Sequence, residues 1–284
     1  MSVDIREDKY HRTFEQLKKT YEAEKELNRK LMNATQAERL KLYTSAYDAY
    51  FEKIPDHPMI LRKANPEAIA WVVEQRMQLL NHFLNTDITF LEIGPGDCSL
   101  SLEVAKYVKK VYAADVSTQI TAGLEIPENF ELIISDGVSI PVPENSVDVV
   151  YSHQLMEHLH PDDAFQQLQN VYHALAPGGI YICITPNRLS GPHDTSAYFD
   201  EIATGWHLKE YTVFELYKLF RAADFSKIDY YKSRGVVHSA LPLNRASAIV
   251  INSIESFLSK LPFSLRRKLS IMMTFRGITI IGTK

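Results

Sequence analysis

The sequence predicts a doubly wound α/β fold around a mostly parallel sheet, and three observations carry that prediction. Short apolar runs rich in β-formers alternate with helical patterns from residue 66 to residue 185. The run Ile180 to Thr185 is apolar throughout, as a central strand covered on both faces has to be. Three strand ends place polar or acidic groups at one edge, namely Gly94 to Asp97, Asp115 and Asp136, and ligands of such sheets bind at the strand C-termini. A chain of 284 residues accommodates one main domain of this kind with additional elements.

Taken in order, residues 4 to about 42 are charged and free of Gly and Pro. They place Tyr10, Phe14, Leu17, Tyr21, Leu27, Leu31 and Ala34 at spacings of three and four, which predicts a helix with one apolar face. That face packs on the main domain or on a sister chain, the latter making a homo-oligomer. Tyr43 to Pro58 gathers aromatic residues ahead of Ile54-Pro55-Asp56-His57-Pro58 and suits a lid, so residues 1–62 read as a helical N-terminal extension. Asn65-Pro66-Glu67 opens a helix whose buried face is Ile69, Val72, Val73, Arg76, Met77, Leu80 and Phe83, because Asn caps and Pro in the first turn loses no hydrogen bond.

Ile88 to Ile93 is the first strand, and it runs through Gly94-Pro95-Gly96 into a helical pattern at Leu100, Val104 and Val108, with Asp97 or Ser99 placed to cap. Two glycines let backbone amides approach a ligand, and a helix start favours a polar or anionic group. The second strand, Lys110 to Ala114, ends in Asp115, which is placed to accept hydrogen bonds from two ribose hydroxyls. Turn plus acid suggests a nucleoside. Ser99 stands where a dinucleotide turn carries its third glycine, which argues against a nicotinamide dinucleotide. The third strand is Glu131 to Ser135 and the fourth Val147 to Ser152. A helix follows Pro161-Asp162-Asp163 with Ala164, Phe165, Leu168, Val171, Tyr172 and Leu175 on one face, stopped by Pro177-Gly178-Gly179 ahead of the fifth strand.

Glu92-Ile-Gly94-Pro95-Gly96 resembles the first motif of the class I, Rossmann-like S-adenosylmethionine-dependent methyltransferases. Further resemblances follow in the family's order over about residues 65 to 235: Asp136-Gly137, the stretch from Ser146 through Val147-Asp-Val-Val-Tyr-Ser152-His153 to Leu159, and Leu175-Ala-Pro-Gly-Gly. The resemblance implies a seven-stranded sheet, with Lys227 to Lys232 as sixth strand and an antiparallel Gly277 to Gly282 as seventh. It divides the chain into the extension 1–62, a cofactor-binding domain 63–237 with 275–284, and a helical insertion 238–274. It implies methyl transfer from S-adenosyl-L-methionine, with S-adenosyl-L-homocysteine as product. By the same resemblance Glu92, Gly94, Pro95 and Gly96 hold the methionine end, Asp115 the ribose, Val116 packs on adenine and Asp136 with Gly137 meets the adenine amino group. Ser152 or His153 lines the sulfonium side, and Leu155 is a further cofactor-binding residue.

Such a transfer mainly aligns acceptor, methyl and sulfur, but a hydroxyl acceptor must also lose a proton. His153, Glu157, His158 and His160 lie just after the fourth strand, and His193 and His207 after the fifth. In one reading His158 or His207 is the general base, with His153 beside the reacting centre, since an unperturbed histidine titrates near ~6.5. In the other, Glu157, His158 and His207 hold a divalent cation; Gln154-Leu-Met-Glu157-His158 is similar to the E-x-x-E-H of metal-dependent methyltransferases acting on RNA ends or quinone precursors. Gln154 removes one charge from that pattern, so base or pocket wall is preferred and no metal is assigned. The polar and aromatic loop from Ser190 to Tyr211 offers Tyr198, Trp206 and His207 to the acceptor.

The expected acceptor is an oxygen of a small molecule or glycan, the alternatives being nitrogen, a lipid-linked substrate, or a non-catalytic nucleoside-binding partner. A net charge of −4 and no basic arm argue against nucleic acid. Two cysteines, Cys98 and Cys183, read as structural thiols. A charged N-terminus and the lack of a long apolar run lead to the expectation of a soluble cytoplasmic protein. The stretch Ile249 to Met273 is basic and apolar and suits a membrane surface, although a packed helical insertion is the preferred reading.

Overall fold

The computed structural model describes residues 8, 10–54, 65–116, 124–234 and 237–284. Its elements in chain order are α1 (Phe14–Asn33), α2 (Gln36–Lys53), α3 (Pro66–Leu80), β1 (Thr89–Ile93), α4 (Ser99–Val104), β2 (Lys110–Asp115), β3 (Phe130–Ile134), β4 (Val147–His153), α5 (Pro161–Ala174), β5 (Leu175–Pro186), α6 (Val213–Ala222), β6 (Lys227–Arg234), β7 (Val237–Pro242), α7 (Arg245–Ser259), α8 (Phe263–Met272) and β8 (Gly277–Thr283). They form an eight-stranded sheet in the order β3-β2-β1-β4-β5-β8-β6-β7. The first five strands are parallel, and β8 runs antiparallel between β5 and β6. The order reverses at β1, where β1 pairs with β2 on one side and β4 on the other, so the crevice for a ligand opens at the C-terminal end of β1.

The expected seven strands are therefore eight. Val237–Pro242 folds back on β6 as an antiparallel edge strand ahead of the two expected helices. Its Pro242 sits at the last paired position, where the sheet tolerates it because no further strand pairs on that side. The single helix expected to about residue 42 is two. Ala34 is extended and Thr35 accepts the role of a new start, its N–H and hydroxyl both donating to Glu38 Oε2 at 2.8 and 2.7 Å. The helix after the glycine turn ends at Val104, short of Val108, and the strand after α5 begins at Leu175, taking in Pro177-Gly178-Gly179.

Two apolar layers sandwich the sheet. On one face Met77, Leu80, Leu100 and Val104 of α3 and α4 pack on Phe90, Val111, Val149 and Tyr151; on the other Leu168, Leu216 and Phe220 of α5 and α6 pack on Leu91, Val150, Tyr181 and Cys183. Cys98 and Cys183 are buried free thiols. Asn65 Oδ1 caps α3 by accepting from the Ala68 amide, with Pro66 in the first turn, as expected.

Both N-terminal helices are fastened onto the ligand-binding edge. Arg39 of α2 donates to both oxygens of buried Asp163 at the start of α5, at 2.6 and 2.7 Å, and Tyr43 adds a third bond to the same carboxylate at 2.8 Å. The Tyr43 hydroxyl also accepts from the His160 amide at 2.9 Å. The α1 helix lies on the loop after β5: Tyr21 stacks on Phe199 at 4.6 Å and donates to Asp200, while Asn28 Nδ2 donates to the carbonyls of Gly205 and His207. Within the lid segment, Pro55 to Pro58 lies outside the described residues, as does the proposed boundary at 62.

Candidate active site

At the end of β1 the chain turns through Gly94 and Gly96, each with φ +68, a region that L side chains rarely occupy. Gly94 donates to Ala114 O at 2.9 Å, and a Cβ there would stand 3.2 Å from Leu155 Cδ1, so Leu155 does lie over the turn. A Cβ on Gly96 would meet nothing within 4 Å, which leaves the space beside it open to a ligand. The turn enters α4 through Cys98, itself at φ +59, with Asp97 Oδ1 accepting from the Ser99 amide at 3.0 Å. The N-cap position is Cys98, which makes no side-chain cap, so neither Asp97 nor Ser99 is the cap expected; Asp97 bonds only the first helical amide.

Glu92 is buried, and Ser101 donates to its Oε2 at 2.5 Å. Burial pushes its carboxyl up to about 7, opposed by Ser101 and Arg76 and reinforced by the charges of Asp97 and Asp115. Glu92, Asp97 and Asp115 therefore feel one another, and a ligand cation placed among them would relieve that field. Arg76 of α3 reaches the same ground, its Nη2 3.3 Å from His153 Nδ1. Sequence reading had put Arg76 only on a buried helix face.

Asp115 closes β2 opposite Ile134, and its carbonyl accepts from Ser135 at 2.8 Å. The Asp136 carboxylate holds its own turn, accepting from the amides of Val138 and Ser139 at 2.9 and 2.7 Å and from the Ser139 hydroxyl at 2.8 Å. Although burial pushes the other way, those bonds hold Asp136 below the ordinary carboxylate range. Gly137, at φ +90, lies against Tyr43 of α2, where a Cβ would come within 3.3 Å of the Tyr43 side chain. Asp136 is thus engaged in its own turn, and Tyr43 of α2 covers the turn after β3.

Strand parity divides Ser152 from His153. Ser152 is buried with its hydroxyl 2.7 Å from Tyr181 OH, inside the sheet's second core, whereas His153 stands beside Tyr151 with the rings at 6.5 Å on the Arg76 side.

Beyond β4 a second group assembles. Glu157 and His158 occupy a single 3₁₀ turn, Met156–His158, and the loop after β5 brings His207 against them, its ring 4.9 Å from that of His158. Glu157 is fully buried; Thr185 donates to its Oε2 at 2.9 Å, and its Oε1 meets no partner among the described residues. Burial pushes the Glu157 carboxyl up to about 7, against the attraction of His207. His207 Nδ1 lies 2.8 Å from Glu210 Oε1, and although burial works against its charge, Glu210 and Glu157 raise it to about 9. His207 is therefore an imidazolium at neutral pH. His158 Nδ1 lies 3.3 Å from Trp206 O, and since a carbonyl can only accept, Nδ1 carries a proton. One donor atom from each of Glu157, His158 and His207 lies within 4.8 Å of the others, a set of types that a divalent cation could also engage.

His158 and Trp206 line a small cleft together with Glu24, Leu27, Asn28 and Leu31 of α1, Leu42 and Tyr43 of α2, and Leu208. Glu24 is buried and accepts from Thr195 Oγ1 at 2.8 Å and the Trp206 amide at 3.3 Å. Tyr198 points away from this cleft, donating to Asp8 at 2.9 Å. Glu24 and Glu210 are the site residues sequence reading missed. His193 sits on the outer side, its amide donating to Glu210 at 2.7 Å.

The sheet order and its reversal at β1, with a second polar cluster alongside, are those of a doubly wound, Rossmann-like α/β fold. Residues 91–183 match the family model described as a methyltransferase domain. A probable S-adenosylmethionine-dependent methyltransferase of Mycolicibacterium smegmatis is 35% identical over 101 residues, and that match spans only 36% of either chain. Among solved structures, the 1,6-didemethyltoxoflavin-N1-methyltransferase of Burkholderia thailandensis, with its substrate and S-adenosylhomocysteine, aligns with TM-score 0.54 at 16% identity over 88% of this chain and 91% of that one. An S-adenosylmethionine-dependent methyltransferase from Mesorhizobium loti aligns with TM-score 0.51 at 12% identity over 76% of this chain and 100% of its own. At these identities the structures share the fold. Among the described residues, no helix is long and apolar enough to cross a membrane.

Proposed function

We propose that the protein is an S-adenosylmethionine-dependent methyltransferase acting on an oxygen, of a small molecule or glycan. The observation carrying the oxygen assignment is the cluster of Glu157, His158 and His207, of which His158 lines the cleft under α1 and α2. Glu92, Gly94, Pro95 and Gly96 would hold the methionine end of S-adenosylmethionine and Asp115 its ribose, Val116 packing on the adenine. Bound there, the cofactor supplies an already activated methyl group. The open Cβ position at Gly96 and the buried carboxylate of Glu92, held at about 7 by burial, fit a cationic ligand in that place. The Asp136 carboxylate is engaged in its own turn, and the Gly137 amide donates to Ser135 Oγ while its carbonyl accepts from Gln167 Nε2, so an adenine contact there would have to replace one of these bonds.

His158 takes the acceptor proton at Nε2. His207, charged and held by Glu210, draws the raised Glu157 carboxyl back toward its ionised form rather than acting as base, and His153 with Arg76 borders the cofactor side. Proton removal of this kind contributes ~10² to 10⁴-fold. A divalent cation in the same cluster is the competing account. Turnover that survives exhaustive chelation supports the base; turnover abolished by chelation and restored by a divalent ion replaces it. His207→Ala tests the cluster: binding of S-adenosylhomocysteine is retained while turnover falls, and unchanged turnover removes His207 from the mechanism.

A further inference from the structure

The segment between β7 and β8 presents a face that nothing among the described residues covers. The α7 helix packs inward through Ala248, Ile251 and Leu258, and Glu255 accepts from the amides of Val213 and Phe214 at 2.7 and 3.1 Å, capping α6. Its opposite face is apolar: Ile249, Val250 and Phe257 are 63%, 58% and 62% exposed, with only Ala246, Ser253 and Ser256 between them. Burying three side chains of this size in a packed insertion would have been the ordinary outcome. The α8 helix and its end add exposed Leu265, Ile271 and Met272.

The charge of this region is one-signed. From Ser256 to Lys284 there are six Lys and Arg and no Asp or Glu, in a chain whose net charge is −4. Lys260 and Lys268 are exposed; Arg266 and Arg267 are half-buried, and neither Nε meets an acceptor among the described residues. Arg266 Nη2 donates to the backbone carbonyl of Glu201 at 3.3 Å.

We propose that α7 and α8 dock the protein on an anionic phospholipid surface, Ile249, Val250, Phe257 and Met272 entering the interface and the flanking cations meeting the headgroups. Exposed apolar side chains ringed by Lys and Arg without acids match both the apolar and the electrostatic part of such a surface. A second copy of the same face would instead bring like charges together. The inference concerns where the protein works and stands apart from the identity of the methyl acceptor.

The test is flotation of the full chain with vesicles of phosphatidylcholine alone and of phosphatidylcholine containing about a third phosphatidylserine. Wild type floats with the anionic vesicles and not with the neutral ones, and added salt weakens the association. Phe257→Ser with Met272→Ser lowers partitioning by about tenfold or more, and Lys260→Glu with Lys268→Glu does the same. Both pairs are exposed, so melting temperature and S-adenosylhomocysteine binding stay at wild-type values and show that the variants are folded. Absence of flotation, equal flotation with neutral vesicles, variants that partition as wild type, or a stable dimer in light scattering that Phe257→Ser dissolves would each overturn the proposal.

Discussion

The crevice at β1 and the histidine cluster beside it share one sheet edge, yet they are assembled in different ways. Glu92, Gly94, Gly96 and Asp115 come from one strand, turn, helix and strand in immediate succession, held by the parallel ladder of β1 with β2. The cluster at His158 is made by elements far apart in the chain: the turn after β4, the loop after β5, and α1 and α2 from the N-terminal region. The first region is fixed by the sheet itself. The second is a set of surfaces clamped together by buried charge, Arg39 with Asp163 and His207 with Glu210.

The sharpest way to break that division is His158→Ala, for which turnover falls by about 10²-fold or more with cofactor affinity within about twofold of wild type. Parallel loss of affinity would mean that the two regions are one. Next comes the clamp. Arg39→Ala leaves the Asp163 carboxylate buried without its cation and costs about 3 kcal/mol of stability, read by denaturant melting. The nucleotide edge of the surviving folded fraction still binds S-adenosylhomocysteine, whereas a variant as stable as wild type would show that α2 is not held there.

pH sharpens the contrast. Glu92 titrates near 7 in the folded protein against 4.5 unfolded, so the fold retains a proton the unfolded chain has released, and stability falls as pH rises from 4.5 to 7 and is level above. Glu92→Gln removes that penalty, adding roughly 3 kcal/mol to the unliganded protein at pH 8 while weakening cofactor binding. His207 also has a raised folded value, about 9 against 6.5, so its stabilisation is full below 6.5 and is lost as pH rises through 9. Chemical denaturation across pH 4 to 10 separates the two windows. A Glu92→Gln variant no more stable than wild type at pH 8 would mean that the carboxyl is solvated. The smallest effect is Tyr21→Phe, which removes a bond to Asp200 and costs about 1 kcal/mol; no loss in a thermal melt would place α1 more loosely than its contacts indicate.

What could be read in advance follows the same division. The strands from β1 to β5, the glycine turn and Asp115 were legible because apolar runs, turn residues and strand-end acids are local patterns. The break at Ala34 was also locally encoded, by the spacing of Thr35 and Glu38, but the continuous charged pattern of α1 and α2 hid it. Ser152 and His153 could have been separated by strand parity, which puts neighbours on opposite faces. Glu24, Arg76 and Glu210 could not be found, since each acquires its place only when a distant segment folds against it: Glu24 and Thr195 are 171 positions apart. The edge strand β7 was missed because Val237–Pro242 pairs on one side only and ends in proline.

The account rests on Asp115 belonging to the nucleotide and His158 to the acceptor. Calorimetric titration of S-adenosylhomocysteine into wild type, Asp115→Ala and His158→Ala measures both assignments at once. The expected result is binding by wild type and by His158→Ala, and none by Asp115→Ala at concentrations that saturate wild type. Undiminished binding by Asp115→Ala, or no binding by any of the three, would contradict it.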